Sequence, residues 1–106
     1  MIINSQKRSF GKGAKVSLFT LGTMRSTESL EKMCSVIKNA YYVGINHIET
    51  ASSYGDAESL IGNSIKKLAK EENINEKNWV ITTKVLPKGD FEFLKNNFKN
   101  SLKNLN

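Results

Sequence analysis

Apolar residues recur along the chain with the period of an α-helix in three segments. Residues 28–43 carry one stripe, residues 57–68 a second, and a third begins near Asp90. Asp56 is a plausible N-cap for the second helix. The three stripes are Leu30, Met33, Cys34, Ile37, Ala40 and Tyr41; Ala57, Leu60, Ile61, Ser64, Ile65 and Leu68; and Phe91, Leu94, Phe98, Ser101, Leu102 and Leu105.

Short β-prone runs separate these helices. Residues 15–21, 45–50 and 79–85 are too short for helices and contain β-branched residues, so we predict a strand in each. Residues 8–10 are expected to pair with the start of the first strand across the turn 11–13, as a hairpin. The strands start roughly thirty residues apart, as in βαβ units, which predicts a parallel sheet with right-handed crossovers.

A sheet of three parallel strands is incomplete by itself. It leaves two unpaired edges and one poorly covered face. The printed sequence also ends within the third helical stripe, without a cap or a breaker. We therefore interpret the chain as a fragment of a larger α/β fold.

The charge balance does not indicate a nucleic-acid partner. The chain has 16 Lys and Arg against 10 Asp and Glu, a net charge of +6. Fourteen of the basic residues are Lys and only Arg8 and Arg25 are Arg, while twelve Asn indicate a general bias in composition. Nucleic-acid readout favours Arg clusters and exposed aromatic residues, and neither is visible here.

Other classes are excluded by what the sequence lacks. No run of about 18 apolar residues predicts a transmembrane helix, and the first ten residues do not resemble a signal peptide. The single cysteine, Cys34, and the single histidine, His47, cannot form a disulfide or a multi-Cys/His metal site. We expect a cytoplasmic protein without a bound metal.

Residues with chemical potential follow the ends of the predicted strands, where parallel α/β proteins bind ligands. Gly22, Thr23 and Met24 follow the first strand, Glu49 and the loop 51–55 with Tyr54 follow the second, and Lys84 lies near the end of the third. A phenol with its ordinary pKa near 10 is a poor proton donor at neutral pH. A nearby ammonium lowers such a pKa, and a carboxylate can hold the ammonium in place.

The segment 44–58, GINHIETASSYGDAE, resembles the signature of the aldo-keto reductases. In that family the pattern is Gly, a few residues, His-Ile-Asp-Thr-Ala, two variable positions, Tyr-Gly, two more and Glu. The segments 13–17, 21–24, 60–62 and 81–85 also resemble the family, in the right order and spacing. The resemblance covers most of the chain.

This resemblance implies an NAD(P)H-dependent reductase of aldehydes or ketones, with residues 1–106 as the N-terminal part of one (β/α)8 TIM-barrel domain. Tyr54 matches the general acid and Lys84 the lysine that assists it. Glu49 stands where the family has Asp, five positions before the tyrosine, and so adds one methylene. Three residues match positions near the nicotinamide and substrate: Gly22, Thr23 and Met24. NADPH is the expected cofactor and NADH the alternative.

The family's fourth catalytic residue is a His at the end of the fourth strand, which these 106 residues do not include. His47 is not a substitute, because it lies within the second strand, and we expect it to fill the barrel interior with a hydrogen bond. We therefore expect residues 1–106 alone to be inactive. The alternative to an enzyme is a cofactor-binding regulatory module of the same fold. The sequence leaves open the carbonyl substrate, the choice of cofactor, the oligomeric state and any further domain.

Overall fold

Three parallel strands, each followed by a helix, carry the fold in the computed structural model, which describes residues 6–106. Residues 1–5, which are the first half of the ten residues considered above for a signal peptide, lie outside the described part. The elements in chain order are β1 (Lys7–Arg8), β2 (Val16–Ser17), β3 (Thr20–Gly22), α1 (Leu30–Tyr42), β4 (His47–Glu49), α2 (Ala57–Glu72), the 3-10 helix Glu76–Asn78, β5 (Val80–Thr82) and α3 (Phe91–Leu105).

The sheet has the order β3-β4-β5, and both pairs are parallel, as predicted. Its register aligns Leu21, Ile48 and Ile81 in one row. Because side chains alternate along a strand, the next row, Gly22, Glu49 and Thr82, faces the opposite side. One face is therefore apolar and the other polar.

The core lies between the apolar face of this sheet and the first two helices. Its buried members are Met33, Ile37, Ile48, Ile61, Ile65, Leu68, Ile74 and Trp79. Cys34 is half-buried against this cluster, less enclosed than its place on the predicted stripe indicated. An ion pair between Lys38 and Glu72, 2.7 Å apart, joins α1 to α2.

The predicted first strand is divided in two, which corrects its expected extent of residues 15–21. Only Val16–Ser17 pairs with β1, in an antiparallel hairpin as predicted, and Thr20–Gly22 belongs to the parallel sheet. The first strand of the hairpin is Lys7–Arg8 and not residues 8–10 as expected. The Ser17 hydroxyl donates to the Phe19 carbonyl at 2.6 Å, so the chain turns between the two sheets.

Three other boundaries differ from prediction. The first helix begins at Leu30, because the hydroxyl of Ser29 accepts from Lys32 N at 3.1 Å and caps it there. Strands β4 and β5 are shorter than expected, with three residues each, although backbone bonds from Thr50 N to the Thr82 carbonyl and from Ser52 N to the Lys84 carbonyl still join the chain beyond them. Asp56 occupies the N-cap position of α2, but its side chain makes no capping hydrogen bond.

The apolar stripe of α3 is largely exposed among the described residues. Phe91, Phe98 and Leu102 are 67%, 51% and 52% exposed, and Ser101 is the only fully buried member. The helix approaches α2 closely at Gly62 instead, where an added Cβ would lie 2.3 Å from the Asn104 carbonyl oxygen. Gly62 allows the close crossing, and Leu105 packs against the core there, whereas Phe91, Phe98 and Leu102 remain exposed. Within residues 6–106 no helix is both long enough and apolar enough to cross a membrane.

The hairpin is fastened to the start of β4 by Asn46. Its Oδ1 accepts from Ser17 N at 2.7 Å, its backbone N–H donates to Ser17 Oγ at 3.1 Å, and its Nδ2 donates to the Lys15 carbonyl at 3.1 Å. The Phe10 ring lies 5.0 Å from the His47 ring, centroid to centroid. The hairpin therefore covers the amino end of the polar sheet face.

Candidate active site

The carboxyl edge of the sheet holds an ion pair between Lys84 and Glu49. Lys84 Nζ donates to Glu49 Oε2, and also to the Thr50 carbonyl oxygen at 3.0 Å. The extra methylene of Glu49, relative to the Asp of the resembled pattern, therefore leaves the carboxylate within reach of the ammonium.

Tyr54 reaches the same place from the loop that follows β4. Two turns define that loop, and each is closed by a backbone hydrogen bond. The Tyr54 N–H donates to the Ala51 carbonyl at 3.1 Å, and the Ala57 N–H donates to the Tyr54 carbonyl at 3.0 Å. Gly55 has φ of +56°, a conformation that side-chain-bearing residues rarely adopt, and it turns the chain into α2. The half-buried Tyr54 ring lies with its centroid 4.9 Å from Lys84 Nζ. The structure thus brings the three predicted catalytic residues, Glu49, Tyr54 and Lys84, into one cluster.

The charge of Lys84 is reinforced by these neighbours. The hydrogen bond to Glu49 raises the pKa of Lys84 above its ordinary value, and desolvation opposes this rise. The proximity of Tyr54 adds to the rise in the pKa of Lys84. The ammonium is therefore fully charged at neutral pH, as an electrostatic partner for a phenol must be.

Asn97 of α3 holds the Tyr54 loop against the chain that follows β5. Its Oδ1 accepts from Ser52 Oγ at 3.0 Å and from Leu86 N at 3.4 Å. The backbone N–H of Ser52 also donates to the Lys84 carbonyl at 3.0 Å. Sequence reasoning missed Asn97, because one polar residue on a predicted amphipathic helix carries no signal that separates it from a solvated one.

The predicted cofactor-binding residues occupy the end of β3, with three different environments. Gly22 has open space around it, since an added Cβ would meet no atom within 4 Å. Thr23 is buried, and its hydroxyl donates to the Glu49 carbonyl at 2.9 Å. Met24 is 62% exposed. Gly22 and Met24 therefore offer surface beside the cluster, whereas Thr23 fastens β3 to β4.

His47 lies on the polar sheet face below the cluster and bridges three strands. Its Nδ1 is 3.0 Å from Thr20 Oγ1 and its Nε2 is 2.7 Å from Thr82 Oγ1. Burial lowers the pKa of His47, and the charge of Glu49 partly opposes this. The environment is that of a hydrogen-bonded interior histidine. In the part of the chain that the structure describes, no three His, Cys, Asp or Glu side chains group as metal ligands.

Comparison with known proteins identifies the family. The model of the aldo/keto reductase family matches residues 18–106, which include every element from β3 onward. The chain belongs to the aldo/keto reductase family. The chain also matches an aldose reductase of Encephalitozoon cuniculi at 39% identity over 87 residues, 80% of its length.

Solved aldo-keto reductases share the fold. A Pseudomonas aeruginosa protein assigned to this family superposes with a TM-score of 0.77 at 26% identity, over 97% of this chain. A Bombyx mori aldo-keto reductase, solved in complex with NADP, gives a TM-score of 0.76 at 24% identity, also over 97% of this chain. The predicted α/β fold, the N-terminal part of a (β/α)8 barrel preceded by a hairpin, is confirmed.

The chain spans only part of the length of these relatives. It covers 27% of the Encephalitozoon cuniculi protein, 43% of the Pseudomonas aeruginosa chain and 35% of the Bombyx mori chain. It therefore corresponds to an N-terminal part of an aldo-keto reductase barrel.

Proposed function

We propose that this aldo-keto reductase reduces an aldehyde or ketone to an alcohol, with Tyr54 as the general acid and residues 1–106 as the N-terminal part of one barrel domain. The observation that carries the proposal is the position of Lys84, whose ammonium is bonded to Glu49 and lies over the Tyr54 ring. A phenol next to an ammonium that is held by a carboxylate can act as a general acid toward a carbonyl oxygen.

The three side chains divide the work of proton transfer. Tyr54 donates its phenolic proton to the substrate oxygen. Lys84 stabilises the phenolate that this donation leaves, because a charge of opposite sign next to the ring favours the ionised form. Glu49 and the Thr50 carbonyl hold the ammonium in place, and Glu49 balances its charge.

A nicotinamide cofactor, when bound, supplies the hydride that reduces the carbonyl carbon. The open space at Gly22 and the exposed side chain of Met24 are compatible with a planar ring beside the cluster. We propose NADPH as the cofactor and NADH as the alternative, with a small carbonyl compound as substrate. No nucleic-acid partner is proposed, and we propose a cytoplasmic location.

The test is to incubate the full-length protein with NADPH and a reactive aromatic aldehyde. Loss of NADPH absorbance with formation of the alcohol in equal amount supports a reductase. Tight cofactor binding without consumption over a panel of aldehydes contradicts it and supports the regulatory module instead. Residues 1–106 produced alone are the matched control, for which we expect no consumption.

A further inference from the structure

A buried carboxylate, Glu58, lies in the first turn of α2 outside the proton-transfer cluster. It is only 4% exposed, and no ion pair to it is found in residues 6–106. Its oxygens accept instead from Thr83 Oγ1 at 2.6 Å and from Asn104 Nδ2 at 3.5 Å. Burying a carboxylate is unfavourable unless hydrogen bonds compensate it, so a neutral apolar residue would fill this position more easily.

Glu58 and Thr83, which form the shorter of these two bonds, are each close in sequence to a residue of the proton-transfer cluster. Glu58 follows Tyr54 by four residues, through the turn that begins α2, and Thr83 directly precedes Lys84. Because alternate residues of an extended chain point to opposite sides, Thr83 points to the helices while Lys84 points to the cluster. The bond therefore ties the Tyr54 segment to the Lys84 segment from the buried side.

Lys84 has little other support on its own side of the chain. Its side chain is 46% exposed, and its contacts are the carboxylate of Glu49, the carbonyl of Thr50 and the ring of Tyr54. The backbone bond from Ser52 to Lys84 and the two bonds of Asn97 also link the loop to this segment. Among these links, only the bond between the Glu58 and Thr83 side chains involves a buried side chain, that of Glu58. Hydrogen bonds in a buried environment are stronger than those at the surface.

We propose that Glu58 is a positioning residue of the proton-transfer cluster, acting through Thr83 to fix the separation between Tyr54 and Lys84. The inference rests on the proposed function of that cluster. A displaced ammonium stabilises the phenolate less, and small misplacements of reacting groups reduce rates strongly.

The test breaks the bond from the side of Thr83 in the full-length protein, since removing Glu58 would leave a cavity and two unpaired donors. Thr83→Val keeps the shape and removes the hydroxyl, and Thr83→Ser keeps the hydroxyl. Ser64→Ala is the control, because it removes a fully buried hydroxyl in the middle of α2 for which residues 6–106 provide no hydrogen-bond partner. Each variant is assayed for kcat, for KM of NADPH and for the pH dependence of kcat.

For Thr83→Val we expect kcat to fall about tenfold with KM of NADPH unchanged, and the high-pH limb of kcat to move. Thr83→Ser should restore most of kcat, and Ser64→Ala should behave as wild type. Wild-type kcat and an unchanged pH profile in Thr83→Val would overturn the inference. The inference would also be overturned if Thr83→Val and Thr83→Ser lost kcat equally and in proportion to the decrease in their melting temperatures.

A second readout needs no turnover. The side-chain methylene next to Lys84 Nζ is titrated by NMR in wild type and in Thr83→Val. We expect the pKa of Lys84 to fall in the variant, because its contacts to Glu49 and Tyr54 raise it. An unchanged midpoint rejects the positioning role even if the protein is inactive, whereas an inactive wild type by itself rejects only the proposed reaction.

Discussion

Lys84 and Glu49 form an ion pair that crosses the carboxyl edge of the sheet from β5 to β4. The register explains the meeting, because Glu49 is aligned with Thr82 and Lys84 lies two residues further on the same face. The pair connects adjacent parallel strands at the edge where such folds bind ligands. It fixes the ammonium over the ring of Tyr54.

The first prediction concerns the carboxylate of this pair. In the full-length protein we expect Glu49→Gln to lower kcat about tenfold, because a neutral amide neither balances nor orients the ammonium. Glu49→Asp keeps the charge and should retain kcat within about threefold, since the carboxylate still follows the same strand. Steady-state rates of NADPH consumption measure both, and equal rates for Glu49→Gln and wild type would contradict the role of the pair.

The second prediction separates chemistry from stability at Lys84. The pKa of Lys84 is higher in the folded protein than its ordinary value of 10.5 in the unfolded chain. The ion pair therefore stabilises the fold fully at pH values below 10.5, and this stabilisation is lost as the pH rises through the pKa of the folded protein. Because the ammonium is solvent-exposed, the contribution is small. We therefore expect Lys84→Met to leave the melting temperature at neutral pH nearly unchanged while kcat falls by about a hundredfold.

Calorimetry and rate measurements on the same preparation of Lys84→Met check this separation. A large loss of melting temperature with a proportionate loss of activity would indicate a structural lysine.

The third prediction concerns pH and His47. Its pKa is lowered from 6.5 by burial, so the unfolded chain binds a proton more readily than the folded one. The neutral His47 therefore contributes its full stabilisation at pH values above the pKa of the unfolded chain. This stabilisation is lost as the pH falls through the lower pKa of His47 in the folded protein. Urea unfolding from about pH 7.5 to about pH 5 should show a decrease in the free energy of unfolding.

His47→Gln is the matched variant, because its amide can still bond the hydroxyls of Thr20 and Thr82 but does not titrate. We expect a smaller decrease over the same pH range in this variant. Identical slopes for His47→Gln and wild type would contradict the assignment.

The fourth prediction tests the close crossing of α2 and α3. Gly62→Ala places a Cβ 2.3 Å from the backbone oxygen of Asn104, so one helix must move. We expect a loss of about 1–3 kcal/mol in the free energy of unfolding, measured with urea. Gly13→Ala is the control, since its nearest contact would be an ordinary 3.9 Å, and it should leave that free energy unchanged. A wild-type midpoint for Gly62→Ala would show that the helices are further apart.

Helical and strand periodicity predicted the order of the elements well, because each element buries one face and repeats accordingly. It could not predict that the first strand divides at Leu18 and Phe19. That division depends on the hydroxyl of Ser17 and on the bonds that Asn46, 29 residues further along the chain, makes to Ser17. Contacts of this kind leave no local pattern.

The candidate site was predictable where residues follow strand ends, since parallel strands bring these ends to one edge. Glu49, Tyr54 and Lys84 were predicted in this way. The contributions of Asn97 and Thr83 were not, because they depend on hydrogen bonds to residues far away in sequence, Asn97 to Ser52 and Thr83 to Glu58. The exposure of Phe98 on α3 was also not predicted, since a periodic pattern shows which residues share a face and not whether another element covers that face.

The central claim, that Tyr54 is the proton donor, is tested most directly by Tyr54→Phe in the full-length protein, which removes one oxygen atom and leaves the ring over Lys84. We predict that NADPH consumption with an aldehyde falls by about a hundredfold or more, while the Kd of NADPH, measured by fluorescence titration, stays as in wild type. A variant that consumes NADPH at the wild-type rate would contradict the assignment of Tyr54.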